Sequence, residues 1–160
     1  MDPQEKKVAL RSITYGLYVL TARDGDRFGA AGINWVTQSS FDPPLVVVGV
    51  KTDNDSHELI KATGKFAVNV LGADQLDIGK AFFRSTTEEG GQLNGWAYED
   101  GPVTGSPILV DVPYWWEATL TDTVERGDHT IFVGEVVNAG VRDADAVPLN
   151  LRDTGMNYGG

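Results

Sequence analysis

The chain of 160 residues contains no cysteine, only two histidines and only two methionines. Without thiols it can form no disulfide, no iron–sulfur cluster and no thiolate zinc site, so any redox role must rest on a bound organic cofactor. The two histidines, His57 and His129, are far apart in sequence, and no His-x-x-x-His pair exists, so no metal site is expected. Apolar runs are short. None approaches the roughly 20 residues that span a bilayer, and the opening Met1-Asp2-Pro3-Gln4-Glu5-Lys6-Lys7 lacks the apolar centre of a secretory leader, so a cytoplasmic protein is expected. Positive charge is also scarce: 13 Lys and Arg against 23 Asp and Glu leave a net charge of -10. Nucleic acid and anionic membrane surfaces are repelled by such a chain on average, and neither is expected as a partner. Gly-x-Gly-x-x-Gly and Gly-x-x-x-x-Gly-Lys-Ser/Thr are both missing, so an anion would have to be held in another way.

What is present points to strands. The length suits one domain, read here as 1–160. Its 19 glycines fall beside β-branched and aromatic runs, as in a strand-rich fold with tight turns. Asp2 with Pro3 behind it predicts a capped helix to about Ser12. Tyr15 to Arg23 and Arg27 to Trp35 read as a hairpin around Asp24-Gly25-Asp26. Asp42-Pro43-Pro44 must be a turn, and Leu45 to Val50 a buried strand. Asp55 with Glu58 has the spacing of a capping box for a helix that stops at Gly64. A strand over Phe66 to Leu71 and a helix over Ala73 to Phe83 follow. Arg84 to Pro107, rich in glycine and proline, reads as a long irregular excursion. Pro113 to Val124 and Thr130 to Val141 form a second hairpin, and Asn150 to Tyr158 ends the chain. Strands outnumber helices with no βαβ alternation, so the fold class is mainly β with flanking helices, and an antiparallel barrel is favoured over a doubly wound sheet.

Three places could carry chemistry. Asn34-Trp35-Val36-Thr37-Gln38-Ser39-Ser40 gathers hydrogen-bonding side chains between apolar strands, which suits the polar edge of a flavin and equally a polar turn that satisfies its own backbone. Lys51, Ser56 and His57 surround a helix start, where an anion is attracted, and a helix cap with an exposed lysine explains the same letters. His129, in Gly127-Asp128-His129, stands at a strand entrance. The aromatic run Tyr114-Trp115-Trp116 alternates across a strand and reads as packing.

Taken in order, Tyr15-Gly-Leu-Tyr-Val-Leu-Thr, Asn34-Trp-Val-Thr-Gln-Ser-Ser-Phe-Asp-Pro-Pro, Phe66-Ala-Val-Asn-Val-Leu, Gly105-Ser-Pro-Ile-Leu and Gly127-Asp-His-Thr-Ile-Phe-Val-Gly-Glu-Val make the chain resemble the flavin reductase family from about Leu10 to Tyr158. That family includes flavoredoxin-like proteins and the C-terminal domains of diflavin flavoproteins. The resemblance implies an FMN-binding split β-barrel, Greek-key-like, that forms a homodimer with FMN near the interface and takes electrons from NADH or NADPH. By position it places Asn34, Trp35, Val36, Thr37, Ser39 and Ser40 along the flavin ring and ribityl chain, Lys51, Ser56 and His57 on the phosphate, His129 beside the nicotinamide and Tyr158 over the flavin. It implies a monooxygenase or another electron acceptor as partner. A flavin carrier or delivery protein without its own NAD(P)H activity is the alternative, and a deazaflavin or haem the alternative cofactor. Relatives with a cysteine in the strand that here reads Trp115-Trp116-Glu117-Ala118 owe to it any thiol chemistry, which this chain lacks.

Overall fold

The computed structural model describes residues 1–160. Helix α1, Pro3–Arg11, starts where the Asp2 carboxylate accepts from the amides of Gln4 and Glu5 at 2.7 and 2.9 Å. Strands β1 (Tyr18–Asp24), β2 (Arg27–Ile33), β3 (Val36–Ser40), β4 (Leu45–Lys51), β5 (Lys65–Val70), β10 (Tyr114–Glu125) and β11 (His129–Val141) make one sheet in the order β2-β1-β5-β10-β11-β4-β3. Every pairing in it is antiparallel.

This order forces curvature. Laid flat, seven strands would put β2 and β3 about 29 Å apart at the usual strand spacing. Yet β2 and β3 are consecutive in the chain, joined only by Asn34 and Trp35, and that link reaches about 11 Å at most. The sheet must curl back on itself and leave a seam between β2 and β3. Asn34 and Trp35 lie in that seam.

The interior of the curl is filled by Leu20, Ile33, Val46, Val48, Val50, Phe66, Val68 and Phe132, capped by Leu59 and Ile60 of helix α2, Asp55–Thr63. A second core lies on the other side of β1, where Leu17, Val19 and Leu71 meet Ile78 of helix α3 (Leu76–Ala81), Phe82, Leu109 and Leu149. No helix is long and apolar enough to cross a membrane.

Four details differ from the sequence reading. Asn54, not Asp55, caps α2: its side chain accepts from the Ser56 amide at 2.9 Å. The helix after β5 is a short one, since Gly72 and Gln75 form a turn that delays its start. The Leu45–Val50 run is buried on alternate residues only, because one face of β4 looks outward. The stretch expected to be irregular holds a small sheet of β6 (Glu88–Glu89), β7 (Gln92–Leu93), β8 (Trp96–Asp100) and β9 (Pro107–Leu109). Its two hairpins turn on Gly90-Gly91 and Asn94-Gly95, all four with positive φ, the conformation that two-residue hairpin loops need.

Candidate functional site

A cavity of about 540 Å³ opens beside the seam, a volume within the range that holds cofactor-sized molecules. One wall is β2 and the link after it, with Ala30, Gly32 and Asn34; another is the end of β4 with Gly49 and Lys51, continuing into Asn54 and Asp55 at the start of α2. The segment after α3 supplies Phe83, Arg84, Ser85 and Thr86, and the chain end supplies Met156, Asn157 and Tyr158.

Each wall is held by a local device. Thr86 acts as a strand partner for the free edge of β2: its hydroxyl accepts from the Ala30 amide at 2.7 Å and donates to the Ala30 carbonyl at 3.1 Å. The Gly32 amide, on the same edge, donates to the Phe82 carbonyl at 2.9 Å. Trp35 is drawn against β4, where the Gly49 amide donates to its carbonyl at 2.8 Å. A Cβ at Gly49 would stand 3.0 Å from the indole, so glycine there lets the ring lie flat on the strand.

Beyond Trp35 lies a polar chain. His129 pairs with Lys51 in the β4–β11 ladder, its Nδ1 is 2.8 Å from Asp128 Oδ1, and its Nε2 is 2.9 Å from the Tyr158 hydroxyl. The Trp35 ring rests against both, with centroids 4.4 Å from His129 and 5.5 Å from Tyr158. The hydrogen bond from His129 holds the Asp128 carboxyl below its ordinary range, and burial pushes the Tyr158 phenol above its own. Lys51 is bound by Asp53, Nζ to Oδ2 at 2.7 Å, which raises the ammonium pKa and lowers that of the carboxyl. Arg84 forms no ion pair with any carboxylate.

The residues singled out in the sequence therefore separate into two groups. Asn34, Lys51, His129 and Tyr158 line the cavity together, and Trp35 backs His129 and Tyr158. Val36, Thr37, Ser39 and Ser40 belong to β3 outside the cavity lining, with Thr37 and Ser39 exposed. Ser56 and His57 are buried under the start of α2, where His57 Nε2 lies 2.7 Å from the Thr130 hydroxyl and its ring rests on Phe132. The sequence reading missed Arg84 and Ser85. Their signal was a cation followed by three hydroxyl residues, Ser85, Thr86 and Thr87, directly after a helix.

Two buried donors at the seam have no partner within the chain, Asn34 Nδ2 and Trp35 Nε1. Buried polar groups are nearly always hydrogen-bonded, so the Asn34 amide, on the cavity wall, fits a ligand with acceptors along one edge. Apolar surface from Ile33, Phe82 and Phe83, the unpaired Asn34 donor and two cations around one cavity suit a flat, polar-edged, anionic molecule, and they define a candidate cofactor site.

Residues 10–160 match the family described as the flavin reductase like domain, and the chain belongs to that family. Among curated proteins it is 37% identical to the high molecular weight rubredoxin of Moorella thermoacetica over 83% of this chain and 58% of that one. The chain spans about half the length of the first curated relatives it matches. It is 32% identical to the NADH:riboflavin 5'-phosphate oxidoreductase of Streptomyces pristinaespiralis, over 93% of this chain and 84% of the relative. Among solved structures, Streptomyces globisporus C-1027 NADH:FAD oxidoreductase SgcE6, in complex with NAD and FAD fragments, superposes with a TM-score of 0.79 at 27% identity, covering 94% of this chain and 90% of that one.

Proposed function

We propose that residues 1–160 act as one domain that binds FMN in the seam cavity and catalyses NAD(P)H:flavin oxidoreduction in the cytoplasm, passing electrons to a partner enzyme such as a monooxygenase. The observation that carries this reading is the unpartnered Asn34 amide on a cavity that also presents Lys51, Arg84 and His129. The chemistry supplied by such a flavin is acceptance of two electrons from a reduced nicotinamide. Asn34 donates to the ring's polar edge, Phe82 and Phe83 give apolar cover while Trp35 backs His129 and Tyr158, and Arg84 with Lys51 neutralises the phosphate. Thr37, Ser39 and Ser40, on the outward side of β3, reach the ring edge only as the seam or a second copy of the chain brings them to it. Ser56 and His57 serve the phosphate indirectly by seating the first turn of α2. His129 orients the nicotinamide, and Tyr158 covers the entrance beside it. FMN is preferred to FAD because the cations gather at the cavity to meet a phosphomonoester, and a relative's name specifies riboflavin 5'-phosphate. Both ring nitrogens of His129 are already hydrogen-bonded and His57 is buried, which argues against haem ligation.

The test is anaerobic mixing of the FMN-loaded protein with NADH and with NADPH. Rapid loss of flavin absorbance supports the reductase; stable flavin binding without bleaching leaves a carrier. His129→Ala should keep FMN affinity and lower kcat/KM for the reduced nicotinamide by about 5- to 150-fold, the loss of one hydrogen bond in a site where its partner is left unmet. Release of FMN by this variant, with a normal rate in the remaining loaded fraction, would make the histidine structural.

A further inference from the structure

We propose that Asn94 is a positioning residue for the flavin phosphate: from the small sheet it brackets the segment Phe82 to Thr86 and fixes where Arg84 stands in the cavity. The inference rests on the reading of Arg84 as a phosphate ligand given above. Arg84 and Ser85 line the cavity, lie outside every helix and strand and make no backbone hydrogen bond. Their placement is therefore set by the residues on either side. Asn94 holds both sides. Its Nδ2 donates to the Ala81 carbonyl at the end of α3 at 2.8 Å, and its Oδ1 accepts from the Thr87 amide at 2.8 Å and from the Thr87 hydroxyl at 3.0 Å. Its own amide donates to the Thr87 carbonyl at 2.9 Å.

Only an amide can serve both ends, because Ala81 presents an acceptor and Thr87 a donor. The backbone asks for the same residue. Asn94 has a φ of 50°, a left-handed conformation that asparagine tolerates, and it opens the Asn94-Gly95 turn between β7 and β8. Leu93 and Trp96, paired across that turn, pack in the second core, so the clamp stands on a fixed base. At 6% exposure Asn94 is shielded from water that would compete for its bonds. Phe82 and Phe83 are held separately by α3, their amides donating to the Gly79 and Lys80 carbonyls at 3.1 and 3.2 Å. Loss of the clamp therefore frees Arg84 rather than the apolar cover of the ring. A cation fixed before the ligand arrives gives up less freedom on binding, which favours the phosphate.

The experiment titrates FMN and riboflavin, the same flavin with and without its phosphate, into the parent protein, Asn94→Gly, Asn94→Asp, Arg84→Ala and the Asn94→Gly/Arg84→Ala double variant, following flavin fluorescence. Glycine keeps the left-handed turn and removes the clamp. Aspartate keeps the acceptor for Thr87 but turns an oxygen towards the Ala81 carbonyl, and it carries the test if the glycine variant does not fold. FMN affinity should fall about 5- to 20-fold in Asn94→Gly, part of one charge-assisted hydrogen bond, with riboflavin affinity unchanged within about 2-fold. The double variant should bind FMN no more than about 2-fold more weakly than Arg84→Ala, because both changes act through the same guanidinium. Equal losses of FMN and riboflavin affinity, or additive losses in the double variant, would make Asn94 a structural prop and overturn the proposal. An FMN preference that survives in both Asn94 variants but not in Arg84→Ala overturns it as well, with the phosphate reading of Arg84 intact. A parent that binds riboflavin as tightly as FMN, or an Arg84→Ala variant that keeps the preference, overturns that reading and the proposal together.

Discussion

His57 shows how a residue that invites a phosphate reading can be committed elsewhere. Burial, aided by the Lys61 charge, pushes its pKa below the ordinary value. The folded state therefore resists a proton that the unfolded chain accepts at about pH 6.5. A depressed histidine contributes no penalty above that value, and stability falls as pH drops through the window between about 6.5 and the lower folded pKa. Melting temperatures at pH 7.5 and pH 5.5 should show a larger loss on acidification in the parent than in His57→Gln, which keeps a polar group for Thr130 but does not titrate. Equal losses would show that His57 carries a proton in the folded protein. Arg84 and Lys51 pose the opposite question, which cation a phosphate meets. Lys51 is already neutralised by Asp53, whereas Arg84 is not. Arg84→Ala should weaken FMN binding by roughly 10- to 150-fold, one charge-assisted hydrogen bond, and Lys51→Ala should weaken it less. Fluorescence titration of both variants checks the order, and a larger effect at Lys51 would reverse the assignment.

At the scale of elements, the site depends on how closely α2 approaches β2. A Cβ at Gly29 would stand 2.7 Å from the Ser56 amide nitrogen and 2.8 Å from its Cα, a backbone contact that cannot be relieved by rotating a side chain. Gly29→Ala should therefore cost about 1–3 kcal/mol through overpacking. It should also loosen FMN, because Asn54 and Asp55 at the same helix start line the cavity. Thermal melts and flavin titration together test this; an unchanged melt would mean that α2 shifts without strain. The sequence reading reached the main strands because each is long enough to show alternation or an apolar run. It missed the small sheet because three of its four strands have only two or three residues and so no period to read, although Asn94-Gly95 is the strongest local hairpin signal there is. The helix cap was misplaced by one residue because Asn54 and Asp55 are both good caps and only the backbone decides between them. The polar run Thr37 to Ser40 was legible as unusual, but which side of β3 it faces depends on the register with β4, which no local pattern supplies. Arg84 escaped because it reaches the seam through long-range bonds to β2 on either side of it, Phe82 to Gly32 and Thr86 to Ala30, the latter between residues 56 positions apart.

At the scale of the whole molecule, the aromatic run on β10 turns out to be used internally. Trp116 packs edge-on against Phe66, Trp115 lies against the second core, and the Tyr114 hydroxyl donates to the Ala146 carbonyl at 2.8 Å. The uncovered apolar surface is elsewhere. Because Val48, Val50, Thr130 and Phe132 point inward, their neighbours Val47, Ile131 and Val133 point outward, and Val124 stands opposite Ile131 in the ladder. Ile131 is 41% exposed, Val124 45% and Val137 37%. A contiguous apolar face of this kind marks an interaction surface, and we propose that a second copy covers it. A chain of net charge -10 repels its own copies, so two can approach only where acidic side chains are few. On this face Asp122 and Glu135 are the acidic residues on the central strands. The face ends at His129 and Lys51, so a partner there would stand beside the cavity and complete its outer wall. The protein should sediment at about twice its chain mass of 17.3 kDa. Ile131→Lys should give a monomer with unchanged circular dichroism, since the side chain points away from the core, and with weaker FMN binding, since the outer wall is lost. A parent protein that sediments as a monomer while binding one FMN per chain would show that a single copy closes its own site.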